Sequence, residues 1–300
     1  KINTMKFFSP FILLLFMIPA FVFPQIKMMI DTENAELDKV NAVKDNGMKK
    51  ITIYRYDYDE VDFQQDSSVA EIMTYDAEKM LFTDINYTPA YSKSIISLNP
   101  QNKILYREIY DDKNNITGKT EFYYREDGLT DRREIFLGAS KAFDEVYSYE
   151  GGALKKMKYV TADGVLFGYS EFESDQWGNI IQEIKYNSND EADYKYLYTY
   201  DANSRCLEEK IILGNKKTTL VSYIWKNGLL EEKTVKEENG KTLGSTKFTY
   251  NSNGKVVEEI SDSPQGKITK LYEYDGNLVR QVKISDLSDV SSYMLRYFYE

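Results

Sequence analysis

Aromatic rings are the side chains of this sequence whose spacing could do chemistry. Tyr198 and Tyr200, Tyr223 and Trp225, Phe248 and Tyr250, and Tyr272 and Tyr274 are each separated by one residue, and each pair runs straight into a turn rich in Asn, Asp or Gly. Exposed, such rings would form a stacking platform for sugar faces, with Trp225, Tyr223, Tyr200 and Tyr250 at its centre. The competing expectation is cross-strand packing, where an aromatic pair stabilises neighbouring strands by about 0.2–1 kcal/mol. Packing is the stronger expectation, because the rings stand where a structural repeat requires them.

Other chemistries find little material. The chain has no His, which removes the commonest general base and zinc ligand. Its single cysteine, Cys206, has no imidazole to activate it and reads as an inert small side chain beside a turn. Asp201 and Asp275, close to Asn203 and Asn277, could be calcium donors, but Asp and Asn favour these turns on their own account. No copy has the acidic density and terminal Glu of a calcium loop. With 48 acidic residues, carboxylate pairs occur everywhere and spacing singles out no glycosidase dyad. No Gly-rich phosphate loop follows a strand and opens a helix. The sequence therefore assigns no catalytic, cofactor-binding or metal-binding residue and implies no cofactor. A net charge of −10, with Lys and Arg interspersed among Glu and Asp, would repel a phosphate backbone and excludes nucleic acid as a partner.

The elements that position the rings emerge from a period. Anchors at Tyr75, Leu98, Tyr124, Tyr149, Ser174, Tyr200, Trp225, Tyr250, Tyr274 and Tyr299 recur every 23 to 26 residues. Two residues before most anchors stands a second aromatic, and a spacing of two puts both rings on one face of a strand. After each anchor comes a tight turn. Asn227-Gly228, Asp127-Gly128, Gly151-Gly152, Asn253-Gly254 and Gly276-Asn277 supply the positive φ that hairpins demand. Each copy is thus an incoming strand, a turn and an outgoing strand.

The fold class that follows is all-β: an antiparallel meander of about 18 to 20 strands, coiled into an elongated, twisted sheet or a superhelix or shell. Residues 71–300 form the array, 26–70 an N-terminal cap, and the last strand leaves an unpaired edge at Glu300. Because charge appears on both faces of the outgoing strands, as in "VVEEIS" from Val256, a lipid-facing barrel is not expected. Residues 1–25 read as a signal peptide with four residues ahead of the initiator. Lys6 precedes the apolar run from Phe7 to Phe23, and Ser9, Pro10 and Pro19 interrupt it too often for a permanent span. Export follows, to the periplasm, cell surface or medium.

The pattern in "YTYDANSRCL", "FTYNSNGKVV" and "YEYDGNLVRQ" resembles the YD repeats of the RHS family over about residues 71–300. The resemblance implies a β-strand spiral, in that family often a hollow shell around a toxin. The chain departs in its period near 25, its degenerate copies and the absence of a self-cleaving core or C-terminal effector in these residues, so only the repeat architecture carries over. The expected function is a non-enzymatic structural or binding module at the envelope, with a protein or glycan partner. Carbohydrate binding through the ladder, a carboxylate-dependent hydrolase and an orphan toxin-shell fragment are the alternatives.

Overall fold

The computed structural model describes residues 36–41, 43–44, 47–57, 67–88, 90–214, 217–286 and 292–300. The segment 1–25 lies outside them. Twenty strands follow one another: β1 (Lys50–Asp57), β2 (Ser67–Asp76), β3 (Leu81–Asn86), β4 (Ser92–Leu98), β5 (Ile104–Tyr110), β6 (Ile116–Tyr124), β7 (Thr130–Leu137), β8 (Ser140–Glu150), β9 (Ala153–Thr161) and β10 (Leu166–Ser174) make the first half. The second half is β11 (Ile180–Asn187), β12 (Ala192–Tyr200), β13 (Cys206–Leu213), β14 (Thr218–Lys226), β15 (Leu229–Glu237), β16 (Thr242–Tyr250), β17 (Val256–Ser263), β18 (Gly266–Asp275), β19 (Leu278–Asp286) and β20 (Tyr293–Tyr299).

Each strand pairs antiparallel with its predecessor and its successor, as the meander requires. The expected open, elongated sheet or superhelix is not what forms. Strand β1 pairs with β2 on one side and with β20 on the other, Ile51 opposite Tyr299 and Ile53 opposite Tyr297, so the sheet closes into a 20-strand barrel. Two physical reasons make closure available. An even strand number brings the first and last strands together antiparallel, and a twist of roughly 20° per neighbour over twenty strands amounts to about a full turn. The bare C-terminal edge expected at Glu300 is therefore corrected: Glu300 accepts backbone bonds from Lys49 and Lys50.

The turns follow the sequence. Gly151 and Gly152 (φ 57° and 83°), and Asn227 and Gly228 (51° and 85°), form two-residue turns in which both positions need positive φ. Longer turns put one such residue four after the anchor, as at Gly254 and, without glycine, Ser204 (61°). In these turns the Asp or Asn after the anchor accepts two backbone bonds. Asp201 Oδ1 takes Asn203 N at 2.8 Å and Arg205 N at 3.0 Å. Just beyond the turn the return strand carries one extra residue: Tyr200 faces Cys206 while Thr199 faces Glu208, leaving Leu207 as a bulge. The same slip recurs at Trp225, Tyr250 and Tyr274, and bulges sharpen twist locally.

The N-terminal segment 26–70 contributes helical residues 36–41 and 43–44, strand β1 and the start of β2. Val40 and Val43 are fully buried in a cluster with Ile51, Ile53, Met73, Phe82, Ile96 and Leu98. Lys39 Nζ reaches Glu71 at 2.9 Å and Asp84 at 3.0 Å; Lys44 Nζ donates to Asn102 Oδ1 at 2.9 Å; Glu36 pairs with Arg107. A stretch this short touches strands from β2 to β5 because the sheet bends around it, so the face it covers is the concave, inner wall.

Closure predicts that amides of residues 51–56 in β1 and 294–298 in β20 exchange with solvent as slowly as those of β12 and β13. Hydrogen exchange read by mass spectrometry checks this; rapid exchange confined to β1 and β20 would mean an open sheet.

Candidate functional site

Because successive side chains of a strand alternate between faces, the register assigns every residue to a wall. Following the pairs round the ring, the inner wall carries Arg133 and Ile135 on β7, Phe143 and Glu145 on β8, Met157 and Tyr159 on β9, Ser170 and Phe172 on β10 and Glu183 and Lys185 on β11. Tyr194, Tyr196 and Tyr198 on β12 and Glu209 and Ile211 on β13 continue it. The same face is the more buried one: Met157, Tyr159, Ser170, Glu183 and Tyr196 are nearly or wholly inaccessible.

The sugar-platform candidates stand on this wall, and their polar ends are committed to the backbone. Tyr200 Oη donates to Ile180 O at 2.8 Å, Tyr250 Oη to Leu230 O at 2.7 Å and Trp225 Nε1 to Cys206 O at 2.7 Å. Tyr124, Tyr274 and Tyr299 make the same bond to Ile104, Val256 and Val279. Each anchor therefore ties its own strand to the start of the outgoing strand one copy earlier. A cation from a preceding turn often lies over the ring: Arg205 stands 5.7 Å from the Trp225 centroid and Lys255 5.1 Å from that of Tyr274. Tyr223 Oη donates to Glu209 at 3.3 Å. These rings are half-buried, and the ones two residues ahead are deeper, with Tyr198 at 3% exposure. Tyr196 and Tyr198 lie nearly parallel at 6.5 Å between centroids, the rise of two strand residues. The geometry is that of a packing ladder.

Between β7 and β12 the inner wall holds charge. Arg133 Nε donates to Glu145 at 2.7 Å, and Tyr147 Oη joins the same carboxylate at 3.0 Å. Ser170 Oγ donates to Glu183 at 3.1 Å. Lys185 Nζ lies 4.5 Å from the Tyr159 ring centroid and 5.6 Å from that of Tyr194. Burial pushes the Lys185 ammonium down to about 8, against the upward pull of Asp193, Glu183 and Glu145. Burial likewise raises the hydroxyls of Tyr194, Tyr196 and Tyr198 far above the ordinary range, so they stay neutral. Under the helical stretch, burial and then the charge of Asp84 raise the Glu71 carboxyl. Lys39 moves up too: burial opposes the shift, and its two carboxylate partners outweigh it.

From β5 onward the outer wall carries charge at many mid-strand positions, whereas on β1 to β4 those positions are Thr52, Tyr54, Ile72, Thr83, Ile85 and Ile95. Lys119 pairs with Glu121 at 2.7 Å, Lys156 with Glu171 at 3.1 Å, Lys283 with Glu273 at 3.0 Å and Lys247 approaches Glu232 at 3.8 Å. Among the described residues no helix is long and apolar enough to cross a membrane.

The remaining candidates are dispersed. The Asp201 carboxyl is held below its usual range by the Arg205 guanidinium and by backbone donors, which occupy the oxygens a calcium ion would need. Asp275 and Asn277 sit in an exposed turn, where Asn277 accepts from Lys255 at 2.8 Å. Cys206 is half-buried, its Sγ 3.5 Å from Glu208 O. Among the described residues no three Asp, Glu, Cys or His side chains group as metal ligands. The carboxylates the fold brings together share lysine counter-ions: Glu71 and Asp84 share Lys39, Glu134 and Asp144 share Lys141, and Glu108 and Glu121 share Lys119. A rim hollow of about 420 Å³, lined by Lys217, Thr218, Glu237, Glu238 and Asn239, opens among turns. Sequence reasoning missed Lys185 and Glu183, whose environment comes from three neighbouring strands. It also missed Trp177, 69% exposed in a turn. The unbroken alternation Tyr194, Tyr196, Tyr198, Tyr200 was the available signal for the buried patch.

No family model matches the chain, and no curated protein matches it. Solved structures do. The TcdB2-TccC3 complex is 12% identical with a TM-score of 0.42, over 81% of this chain and 15% of that one. A porin-like protein from Bacteroides uniformis is 9% identical with a TM-score of 0.35, over 84% and 96% of the two chains. A putative outer membrane lipoprotein-sorting protein domain from Vibrio parahaemolyticus is 7% identical with a TM-score of 0.20, over 88% and 91%. This chain thus spans about a seventh of the TcdB2-TccC3 chain, and likeness at this level identifies no family.

Two outcomes test the site. Tyr250→Phe, which deletes one hydroxyl and strands the Leu230 carbonyl, is expected to cost about 1 kcal/mol in urea unfolding. Lys185 has a folded-state pKa below its unfolded value, so between about pH 8 and 10.5 the unfolded chain holds more protons and stability rises with pH. The penalty is complete below that window. Lys185→Met is expected to remove the rise, on the order of 3 kcal/mol, in melts across pH 7 to 10.5.

Proposed function

We propose that the chain is an exported, non-enzymatic bacterial envelope protein acting as a structural or interaction module, a closed ring that offers rims and a charged outer wall to a protein or glycan partner. The observation that carries this reading is how the ionisable side chains are spent. On both walls they pair across strands, as in Arg133 with Glu145 and Lys156 with Glu171, instead of converging on a cavity. Lysines and glutamates at mid-strand on the outer wall from β5 onward favour water over lipid around most of the ring. Export is supported by Lys6 and the apolar run behind it, and the location that follows is the periplasm, the cell surface or the medium.

The sugar platform draws less support, since Tyr200, Trp225 and Tyr250 are tied to backbone carbonyls and half-buried. The YD-repeat likeness supports a shared hairpin architecture and, by itself, no cargo.

Fractionation of cells carrying a C-terminally tagged chain is expected to recover it with periplasmic or surface markers, shortened at its N-terminus. Recovery of the full-length chain with cytoplasmic markers would overturn the reading. Glycan-array binding that disappears in Trp225→Ala and Tyr223→Ala would instead favour the sugar platform.

A further inference from the structure

Copy after copy, an anchor ring closes the rim between two hairpins, yet at residue 174 the anchor is Ser. The other non-aromatic anchor, Leu98, is 3% exposed and packed in the cluster beneath the helical stretch, so its place is filled. Ser174 is half-buried. It faces the inner wall beside Phe172 and pairs with Ile180 across the hairpin. By the pattern of Tyr250 with Leu230 and Tyr299 with Val279, both following two-residue turns, the acceptor for a ring at 174 would be the Leu154 carbonyl, two residues past the Gly151-Gly152 turn. The residues that would floor that ring are present: Leu154 and Ile180 are partly buried and packed on Met157, Tyr159 and Phe172. Anchors one copy apart stand roughly 10 Å apart along the rim, two strand spacings. By that spacing, a missing ring would leave a ring-sized notch between Tyr149 and Tyr200.

A second departure sits in the same hairpin. The third residue past the anchor is Asn203, Asn253 or Asp127 elsewhere; here it is Trp177, held at the turn tip by Trp177 N to Asp175 Oδ1 at 2.9 Å, with its side chain 69% exposed. An exposed Trp beside an apolar recess has the composition of an interface hot spot. Glu150 and Asp175 directly follow the two anchors at this rim, and the chain carries a net charge of −10.

We propose that this notch is a docking site for a tyrosine side chain of a partner protein, presented on a segment flanked by Lys or Arg. The partner's ring replaces the missing anchor over Leu154 and Ile180, its hydroxyl donates to Leu154 O, Trp177 packs on the exposed edge, and the flanking cations meet the carboxylates at the mouth. The site deepens the proposed role as an interaction module but depends only on the repeat's geometry, so its failure would leave export and lack of catalysis standing.

The test uses the full chain and the probe acetyl-Lys-Tyr-Lys-amide, with acetyl-Lys-Ala-Lys-amide and acetyl-Glu-Tyr-Glu-amide as controls, followed by the 15N shift of the Trp177 indole and, for Trp177→Ala, by calorimetric titration. Saturable shifts with the first peptide, and at least tenfold weaker binding of both controls, are expected. Ser174→Tyr fills the notch from within; it is expected to raise the melting temperature and to abolish binding, while Trp177→Ala weakens binding about tenfold with an unchanged melt. Equal binding of the Ala peptide, or undiminished binding to Ser174→Tyr with a wild-type melt, would overturn the proposal. Should Ser174→Tyr fail to fold, Leu154→Ala and Ile180→Ala give the same readout, and unaltered affinity in both would also overturn it.

Discussion

The pairing of β1 with β20 is the constraint on which the rest of this molecule depends. A two-strand repeat unit always exposes an edge, and an edge is a template for pairing with another chain. Repeat arrays usually cover their ends with atypical copies. Here the ends cover each other. Seven residue pairs, from Ile51 with Tyr299 to Asp57 with Tyr293, convert an array into a ring in which, among the described residues, no strand has an unpaired side. Closure also fixes curvature, and with curvature a difference between walls. Side chains on the concave wall crowd together, which is why Met157, Tyr159, Ser170 and Glu183 vanish from solvent although only neighbouring strands flank them.

Within that frame one local device repeats. The anchor ring reaches back to the start of the outgoing strand one copy earlier, a bulge there makes room, and in several copies a turn cation closes over the ring. The hydroxyl bond goes to the carbonyl of the residue facing the previous anchor, beside the bulge, as Leu230 faces Trp225. The aromatic positions are therefore occupied twice over, by ring packing and by the polar bond, and a Phe could supply only the first. The inner wall is not uniform, however. Beneath the helical stretch it is apolar, with Ile51, Ile53, Phe82 and Ile96 meeting Val40 and Val43. From β7 to β12 it is polar and buried, and the charges there survive because each has a carboxylate, hydroxyl or ring against it.

What was legible in the sequence was what repeats. The period, the strand pairing, the turn chemistry at Gly151-Gly152 and Asn227-Gly228 and the packing role of Tyr200, Trp225 and Tyr250 all arise from residues within one copy of each other, so local spacing encodes them. Closure was not legible, because β1 and β20 lie about 240 residues apart and the strand "KITIYRYD" carries no mark naming its second partner. The lowered Lys185 pKa was equally hidden. It needs Tyr159 from β9, Tyr194 from β12 and the burial that only a curved wall provides. Ser174 could be seen as a degenerate anchor, but the gap it opens has meaning only once its neighbours are known to be filled.

These two classes of information bear differently on function. A side chain required by every copy is explained by the copy, and its presence says nothing about a partner. Tyr250 would be there whether or not the protein bound anything. A partner that recognised the repeated surface would find the same features at every hairpin and could settle on no single register. Specific recognition therefore has to use positions where the repetition fails without loss of the fold. The helical stretch at Leu98 is one such failure, and it is filled by the chain itself. Ser174 and Trp177 form another within a single hairpin, and there the chain supplies a rim, a floor and an exposed indole but not the ring that every neighbouring rule calls for.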